Sequence, residues 1–220
     1  MNKFYSEFQE IIATEDRHAS LEYVMDKLKN KEIGIIELYE EILTPTLNRM
    51  EISGDERVDI WKEHVRSSII RTIVESCYPY VIMERNAKYG VKSVKNVAVL
   101  CPAEEYHEIG ARMVTDYFTL LGYQTTFVGN NTPKEVLVTG IRSHHLDYVA
   151  ISISNPYHMV NARNTIEMIR KENRNVKIIV GGNAVKKLGD KAKDLGADYY
   201  LTTFNDIIAI AGGKTDETTV

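Results

Sequence analysis

Cysteine is scarce. The 220-residue chain holds two, Cys77 and Cys101, far apart in sequence and outside any C-x-x-C pair. That spacing excludes a disulfide framework or a cysteine-ligated cluster and fits two inert thiols in a reducing compartment. Long apolar runs are missing as well: none approaches the roughly 18 residues that a membrane span requires, and residues 1–7 (MNKFYSE) contain no apolar signal core. Nor is there an excess of positive charge. The formal net charge is −4, whereas non-specific nucleic-acid binding needs a basic face to neutralise phosphates. The expected setting is cytoplasmic, with no membrane association and no direct nucleic-acid contact. No winged-helix segment or basic recognition helix stands out, so a gene-regulatory role is expected to run through a protein partner.

What is present divides in two. The first part reads as helices only. Phe4, Phe8, Ile11 and Ile12 fall at helical spacing, as do Leu21, Val24, Met25 and Leu28. After a break at Gly34 a third segment carries Ile35, Ile36, Leu38, Ile42 and Leu43 and is expected to stop near Pro45. The fourth runs from about Val58 to Cys77, with Val58, Trp61, Val65, Ile69, Ile73 and Cys77 on one stripe. Four amphipathic helices with short connections predict a four-helix bundle over residues 1–85, with Trp61 packed inside it. Residues 86–95 are polar, contain Gly90 and are expected as a linker.

Beyond Lys95 the pattern changes to short apolar runs alternating with helical stretches. Strands are expected at residues 97–100, 125–128, 148–151, 176–180 and 198–201. Helices are expected around Ile109–Leu121, Pro133–Arg142, Ala162–Lys171, Ala184–Leu195 and Asn205–Ala211. Strict alternation implies a parallel sheet covered on both faces. Five units give a flavodoxin-like, Rossmann-like α/β domain over residues 96–212. The polar tail, residues 213–220, is expected to be disordered.

Ligands on such sheets bind beyond the carboxyl ends of the strands, so those ends carry the chemistry. After the first strand come Glu105, Tyr106, His107, Glu108, Ile109 and Gly110. After the second come Asn130 and Thr132, after the third Ser152, Ser154 and Asn155, after the fourth Gly181 and Gly182, and after the fifth Thr202 and Thr203. Glycines, hydroxyls and amides suit a large polar-edged ligand lying along the sheet edge. A phosphoacceptor receiver domain, which shares the fold, would need an Asp after the third strand and a Lys after the fifth. Both are missing.

Together Glu105-x-His107-x-x-Gly110, Ser152-x-Ser154 and Gly181-Gly182 resemble the signature of cobalamin-binding domains. That family includes the cobalamin module of methionine synthase, corrinoid methyl carriers and cobalamin-dependent light sensors. The resemblance covers nearly the whole chain, the helical part being similar to the family's cap bundle. It implies cobalamin, as adenosyl- or methylcobalamin, bound base-off between bundle and sheet domain with His107 on the cobalt. Glu105 would accept the other ring N–H and so raise ligand basicity. Gly110 would let the cofactor's nucleotide tail pass close to the backbone, Ser152 and Ser154 would hydrogen-bond that tail, and Gly181 and Gly182 would open the slot for its displaced base. Glu63 and His64 match a pair that faces the upper side of the corrin, although Glu63 also has Arg66 three residues on as an ion-pair partner.

Three departures from the family pattern sort its branches. Glu105 stands in place of the widespread Asp, and Ala111 stands where methyl carriers have Lys; both favour the sensor branch. Ser53 and Gly54 stand where light sensors place a shielding Trp and a cobalt-capturing His. The expected role is therefore a non-catalytic cobalamin sensor or regulator that signals through a partner or by self-association. The alternative is a corrinoid methyl carrier serving methyltransferases.

Overall fold

In the computed structural model, which describes residues 2–49, 53–90 and 95–210, the chain divides into two units, Met1–Ala87 and Lys88–Val220. The expected tail, residues 213–220, and residues 91–94 of the expected linker lie outside the described residues.

In the first unit, side-chain caps set three helix starts. Asn2 caps α1 (Lys3–Ile12), Asp16 caps α2 (Arg17–Lys29) and Asp55 caps α5 (Glu56–Ser76), each accepting a backbone N–H of the first turn. Between them α3 (Ile35–Glu37) runs through widened π-helical turns at Leu38–Leu43 into α4 (Thr44–Asn48). Pro45 therefore does not stop the segment as expected. The widened turn ahead of it relieves the clash that a proline ring makes with the carbonyl four residues back. Phe8, Leu38, Tyr39, Ile42, Ile70 and Ile73 are fully buried and form the core. Glu84 reaches back to accept the Ile35 N–H at 2.9 Å, closing the start of α3.

Two expectations about this unit are corrected. Trp61 does not pack inside the bundle: it is 65% exposed, its indole N–H directed at Glu15 Oε2 at 3.3 Å. Val58 on the same stripe is exposed too, while Ile69, Ile73 and Cys77 are buried. α5 is buried only in its second half, at Ile69, Ile70, Ile73 and Val74, and the apolar residues of its first turns lie outside that packed stretch. The helices are also more than the four expected. A further helix, α6 (Tyr78–Glu84), with Pro79 in its first turn, continues as π-helical turns at Arg85–Tyr89 and takes up the start of the expected linker.

The second unit is a five-stranded parallel sheet in the order β2-β1-β3-β4-β5. The strands are β1 (Asn96–Pro102), β2 (Gln124–Thr132), β3 (Tyr148–Ser152), β4 (Lys177–Gly181) and β5 (Tyr199–Leu201). The connecting helices are α7 (Ile109–Leu120), α8 (Lys134–Ser143), α9 (Met159–Glu172), α10 (Asn183–Leu188) and α11 (Phe204–Ile210). Central strands β1 and β3 are buried along nearly their whole length, as apolar runs covered on both faces must be. Edge strand β2 alternates and runs longer than expected, through Gly129–Thr132, with two register shifts against β1. The helix expected through Leu195 stops at Leu188, where Gly189 takes a φ of 53° and a 3-10 turn follows. Strand order reverses between β1 and β3, and that switch point is where ligands of open α/β sheets sit.

Both thiols are buried. Burial, with the negative charges of Glu105 and Glu108 nearby, pushes the Cys101 thiol up to about 12. Neither cysteine should react with a thiol reagent at pH 8 in the native protein, and both should react after unfolding; one fast-reacting equivalent in a native titration would refute this. Among the described residues no helix is long and apolar enough to cross a membrane.

Candidate functional site

The loop from β1 to α7 holds the site, and it is pinned from both neighbours. Glu104, at a φ of 68°, donates its N–H to Asn131 Oδ1 at 2.8 Å, and Asn131 returns its own N–H to the Glu105 carbonyl at 3.0 Å. From α9, Asn161 Nδ2 donates to the Ala103 carbonyl and to Glu104 Oε2, each at 3.0 Å. The Glu105 N–H closes a turn onto the Pro102 carbonyl. Hydrogen bonds within the chain thus fix the loop.

Glu105 is the centre of the arrangement and is fully buried. Its Oε1 lies 2.6 Å from His107 Nδ1 and accepts the His107 backbone N–H at 3.1 Å. Its Oε2 accepts the backbone N–H groups of Ser154 and Asn155, both at 2.9 Å. Burial alone would raise this carboxyl. The hydrogen bonds from the His107 ring and from the Asn155, His107 and Ser154 amides outweigh it and hold the group at about 2. The acid is therefore an ionised acceptor, and it ties the β1 loop to the β3 loop across the switch point. With Nδ1 committed to Glu105, Nε2 is the ring nitrogen that a metal would meet, on a side chain that is 61% exposed.

The other residues singled out in the sequence fall around this pair. Tyr106 is exposed, while Glu108 is buried and ion-paired with Arg112 Nε at 3.2 Å. Ile109 starts α7 and is buried, and Gly110 follows with open space where a Cβ would stand. Half-buried Asn130 and buried Thr132 lie at the end of β2; Thr132 Oγ1 donates to the Gly129 carbonyl at 3.3 Å. Ser152 ends β3, buried. It is the backbone N–H of Ser154, rather than its hydroxyl, that meets Glu105, and Asn155 caps the following 3-10 turn through Oδ1. Gly181 ends β4 and Gly182 follows it at the start of α10. Glu63 and His64 belong to the other unit, exposed on α5, and Arg66 is turned to the Thr46 and Arg49 carbonyls rather than to Glu63. Ser53 gives its N–H to Asp59 Oδ1 at 2.9 Å.

Gly182 is demanded by the fold itself. Its φ is 100°, and an added Cβ would lie 2.4 Å from the Ile153 carbonyl oxygen. Backbone cannot yield as a side-chain tip can, so Gly182→Ala is expected to cost about 2–4 kcal/mol, from the positive φ and the clash together. Urea unfolding midpoints check this; an unchanged midpoint would mean that the β3 and β4 loops can part freely.

Two residues at the site escaped the sequence reading: Asn161 and His158. Asn131 stood in the tract after the second strand but was not singled out as a site residue; its φ of 46° suits asparagine, which tolerates positive φ better than most residues. Asn161 and His158 carried no readable signal; only the fold brings the start of α9 and the turn before it to the β1 loop.

Among the described residues no group of three or more His, Cys, Asp or Glu side chains is placed to hold a bare metal ion. A metal on His107 must bring its remaining ligands with it. One exposed imidazole backed by a buried, ionised carboxylate, beside an open glycine at a sheet switch point, suits a metal held in its own macrocycle. Fold and site thus define a parallel α/β domain built to offer one carboxylate-oriented histidine. The chain belongs to the B12 binding domain family, whose profile matches residues 95–209.

Among curated proteins it is 23% identical over 168 residues to the HTH-type transcriptional repressor CarA of Myxococcus xanthus, a match covering 76% of this chain and 54% of that protein. The chain thus spans about half the length of that relative. Among solved structures it superposes on the monomethylamine corrinoid protein of Methanosarcina barkeri with a TM-score of 0.75 and 15% identity, covering 95% of this chain and 97% of the other. A cobalamin-binding protein from Desulfitobacterium hafniense DCB-2 gives a TM-score of 0.50 at 14% identity, with coverage of 93% and 87%. At these identities the structural likeness establishes the fold.

Proposed function

We propose that this chain is a cytoplasmic, non-catalytic cobalamin sensor or regulator that takes the cofactor base-off with His107 Nε2 on cobalt. The observation that carries the reading is the 2.6 Å contact between His107 Nδ1 and the buried Glu105 at the β1–β3 switch point. When bound, cobalamin supplies a cobalt whose upper ligand, adenosyl or methyl, can be exchanged or removed by light. The protein's own groups do the rest. Glu105 fixes the tautomer and orientation of His107, the open backbone at Gly110 admits the nucleotide tail, and polar groups at the β3 and β4 ends line its path. The helical unit, with Glu63 and His64 exposed on α5, is assigned as cover for the upper face. A change there would be read by a partner protein or a second copy.

Ala111 in the position where carriers have Lys, together with the sequence likeness to a repressor, supports regulation. The end-to-end superposition on a monomethylamine corrinoid protein favours a second reading, a corrinoid methyl carrier. The discriminating experiment loads the protein with adenosyl- and methylcobalamin in the dark and follows absorbance and size-exclusion elution before and after illumination. A light- or ligand-dependent change of assembly supports the regulator. Demethylation by an added methyltransferase with no change of assembly supports the carrier. Because Ser53 and Gly54 offer no imidazole, photolysis should leave a one-histidine aquocobalamin spectrum; a bis-histidine spectrum would point to His64.

A further inference from the structure

Glu105 has a second imidazole beside it. His158 ends the 3-10 turn Pro156–His158 after β3. Its side chain is only 17% exposed, and its Nδ1 lies 3.7 Å from Glu105 Oε2, the oxygen that His107 does not use. That nitrogen is buried and has no hydrogen-bond partner among the described residues. Leaving a buried polar atom unmet is costly, on the order of 1–3 kcal/mol, and its chemistry is decided by what it faces. A bare nitrogen lone pair turned toward an ionised carboxylate oxygen is repelled; an N–H turned toward it is attracted. Geometry therefore selects the form of His158 that carries its proton on Nδ1.

We propose that His158 is a positioning residue that shares Glu105 with His107, its Nδ1–H directed at Oε2, so that the hold of the carboxylate on the metal-binding imidazole is set from the β3 loop as well as the β1 loop. Each further donor on a carboxylate that already accepts the His107 ring and three backbone N–H groups draws charge away from the others. With His158 in place Glu105 polarises His107 less than it would alone, and His107 is a softer donor to a metal. The tautomer of His158 stands on the protein alone; its effect on cobalt ligation rests on the cobalamin-binding reading.

The test has two arms. In the first, long-range proton–nitrogen correlation spectra of the 15N-labelled, cofactor-free protein report the tautomer. His158 is expected to be protonated at Nδ1, and Glu105→Gln is expected to remove that preference. An unprotonated Nδ1, or a tautomer indifferent to Glu105→Gln, overturns the contact. In the second, aquocobalamin is titrated into wild type, His158→Phe and His158→Asn. Phe keeps the ring and removes the donor; Asn keeps an N–H near the Nδ1 position. His158→Phe is expected to bind about 3–10-fold tighter with shifted histidine-on bands, below the 10–100-fold typical of a carboxylate that touches the ligand directly. His158→Asn is expected to stay within about twofold of wild type. Equal binding by all three, or equal weakening by both variants, overturns the sharing of Glu105. If wild type binds no cobalamin, the functional reading falls and the tautomer alone decides the contact.

Discussion

His107→Ala is expected to abolish the histidine-ligated spectrum of bound cobalamin. It should weaken binding by more than the 10–100-fold typical of losing an outer hydrogen-bond partner of a ligand. The expectation rests on an exposed ring and on loop contacts that are made without it. Its side chain is 61% exposed, and the loop around it is pinned by Asn131, Asn161 and the Pro102–Glu105 turn, none of which needs the imidazole. Glu105 Oε1 keeps the His107 backbone N–H in the variant. The folded state should therefore survive within about 1 kcal/mol, as surface substitutions do when one of several hydrogen bonds is lost. Far-ultraviolet dichroism and urea midpoints establish that the variant is folded, and absorbance titration with aquocobalamin reads the ligand. Coincident spectra for wild type and variant would remove His107 from the cobalt.

The place of that residue at a strand end was legible in the sequence because the strand pattern around it was strong; its role toward cobalt came only from the family resemblance. The apolar run Val97–Leu100 and the periodic Ile109, Met113, Tyr117 marked a strand and a helix, so the intervening Glu105–Gly110 had to lie at a carboxyl strand end. The same logic located Ser152–Asn155 and Gly181–Gly182. Less legible was anything depending on distance between elements. Trp61 sits on an apolar stripe in sequence, yet only the second half of that stripe is packed, and periodicity does not tell which part of a helix finds a neighbour. The π-helical turns at Leu38–Leu43 and Arg85–Tyr89 leave no composition signature. His158 was invisible for another reason: it lies 53 positions after Glu105, and the parallel crossover through β2 and α8 decides that they meet. Gly182 was read as opening a ligand slot. The clash with Ile153 gives it a structural role at the same position, which no motif separates from a binding one.

Glu105→Gln is expected to damage stability and cofactor binding together. The carboxylate accepts at both oxygens, two contacts on each, and an amide has a single acceptor oxygen. Either orientation turns an NH2 group against N–H donors in a fully buried position, a cost of about 2–4 kcal/mol. The loss should depend on pH, with a sign set by the depressed carboxyl. In the folded protein it is held at about 2 against an ordinary value of 4.5, so on acidification the unfolded chain takes up the proton first. The stabilisation it gives wild type is complete above about pH 4.5, on the order of 3 kcal/mol, and is lost as pH falls from there toward 2. The variant has no such group. The gap in urea stability between wild type and Glu105→Gln should therefore be constant from pH 8 to about 5.5 and shrink by about 1 kcal/mol by pH 3.5. On the binding side, Gln in place of the anion no longer polarises His107, so affinity for aquocobalamin should fall about 10–100-fold at neutral pH. His107→Ala, by contrast, should shorten the acid limb of the stability curve without removing it, because the ring bond that lowers the carboxyl most is lost while three backbone N–H groups remain on it. A pH-independent gap for Glu105→Gln would mean that the buried acid is not charged in the folded protein, and the orientation of His107 would then need another cause.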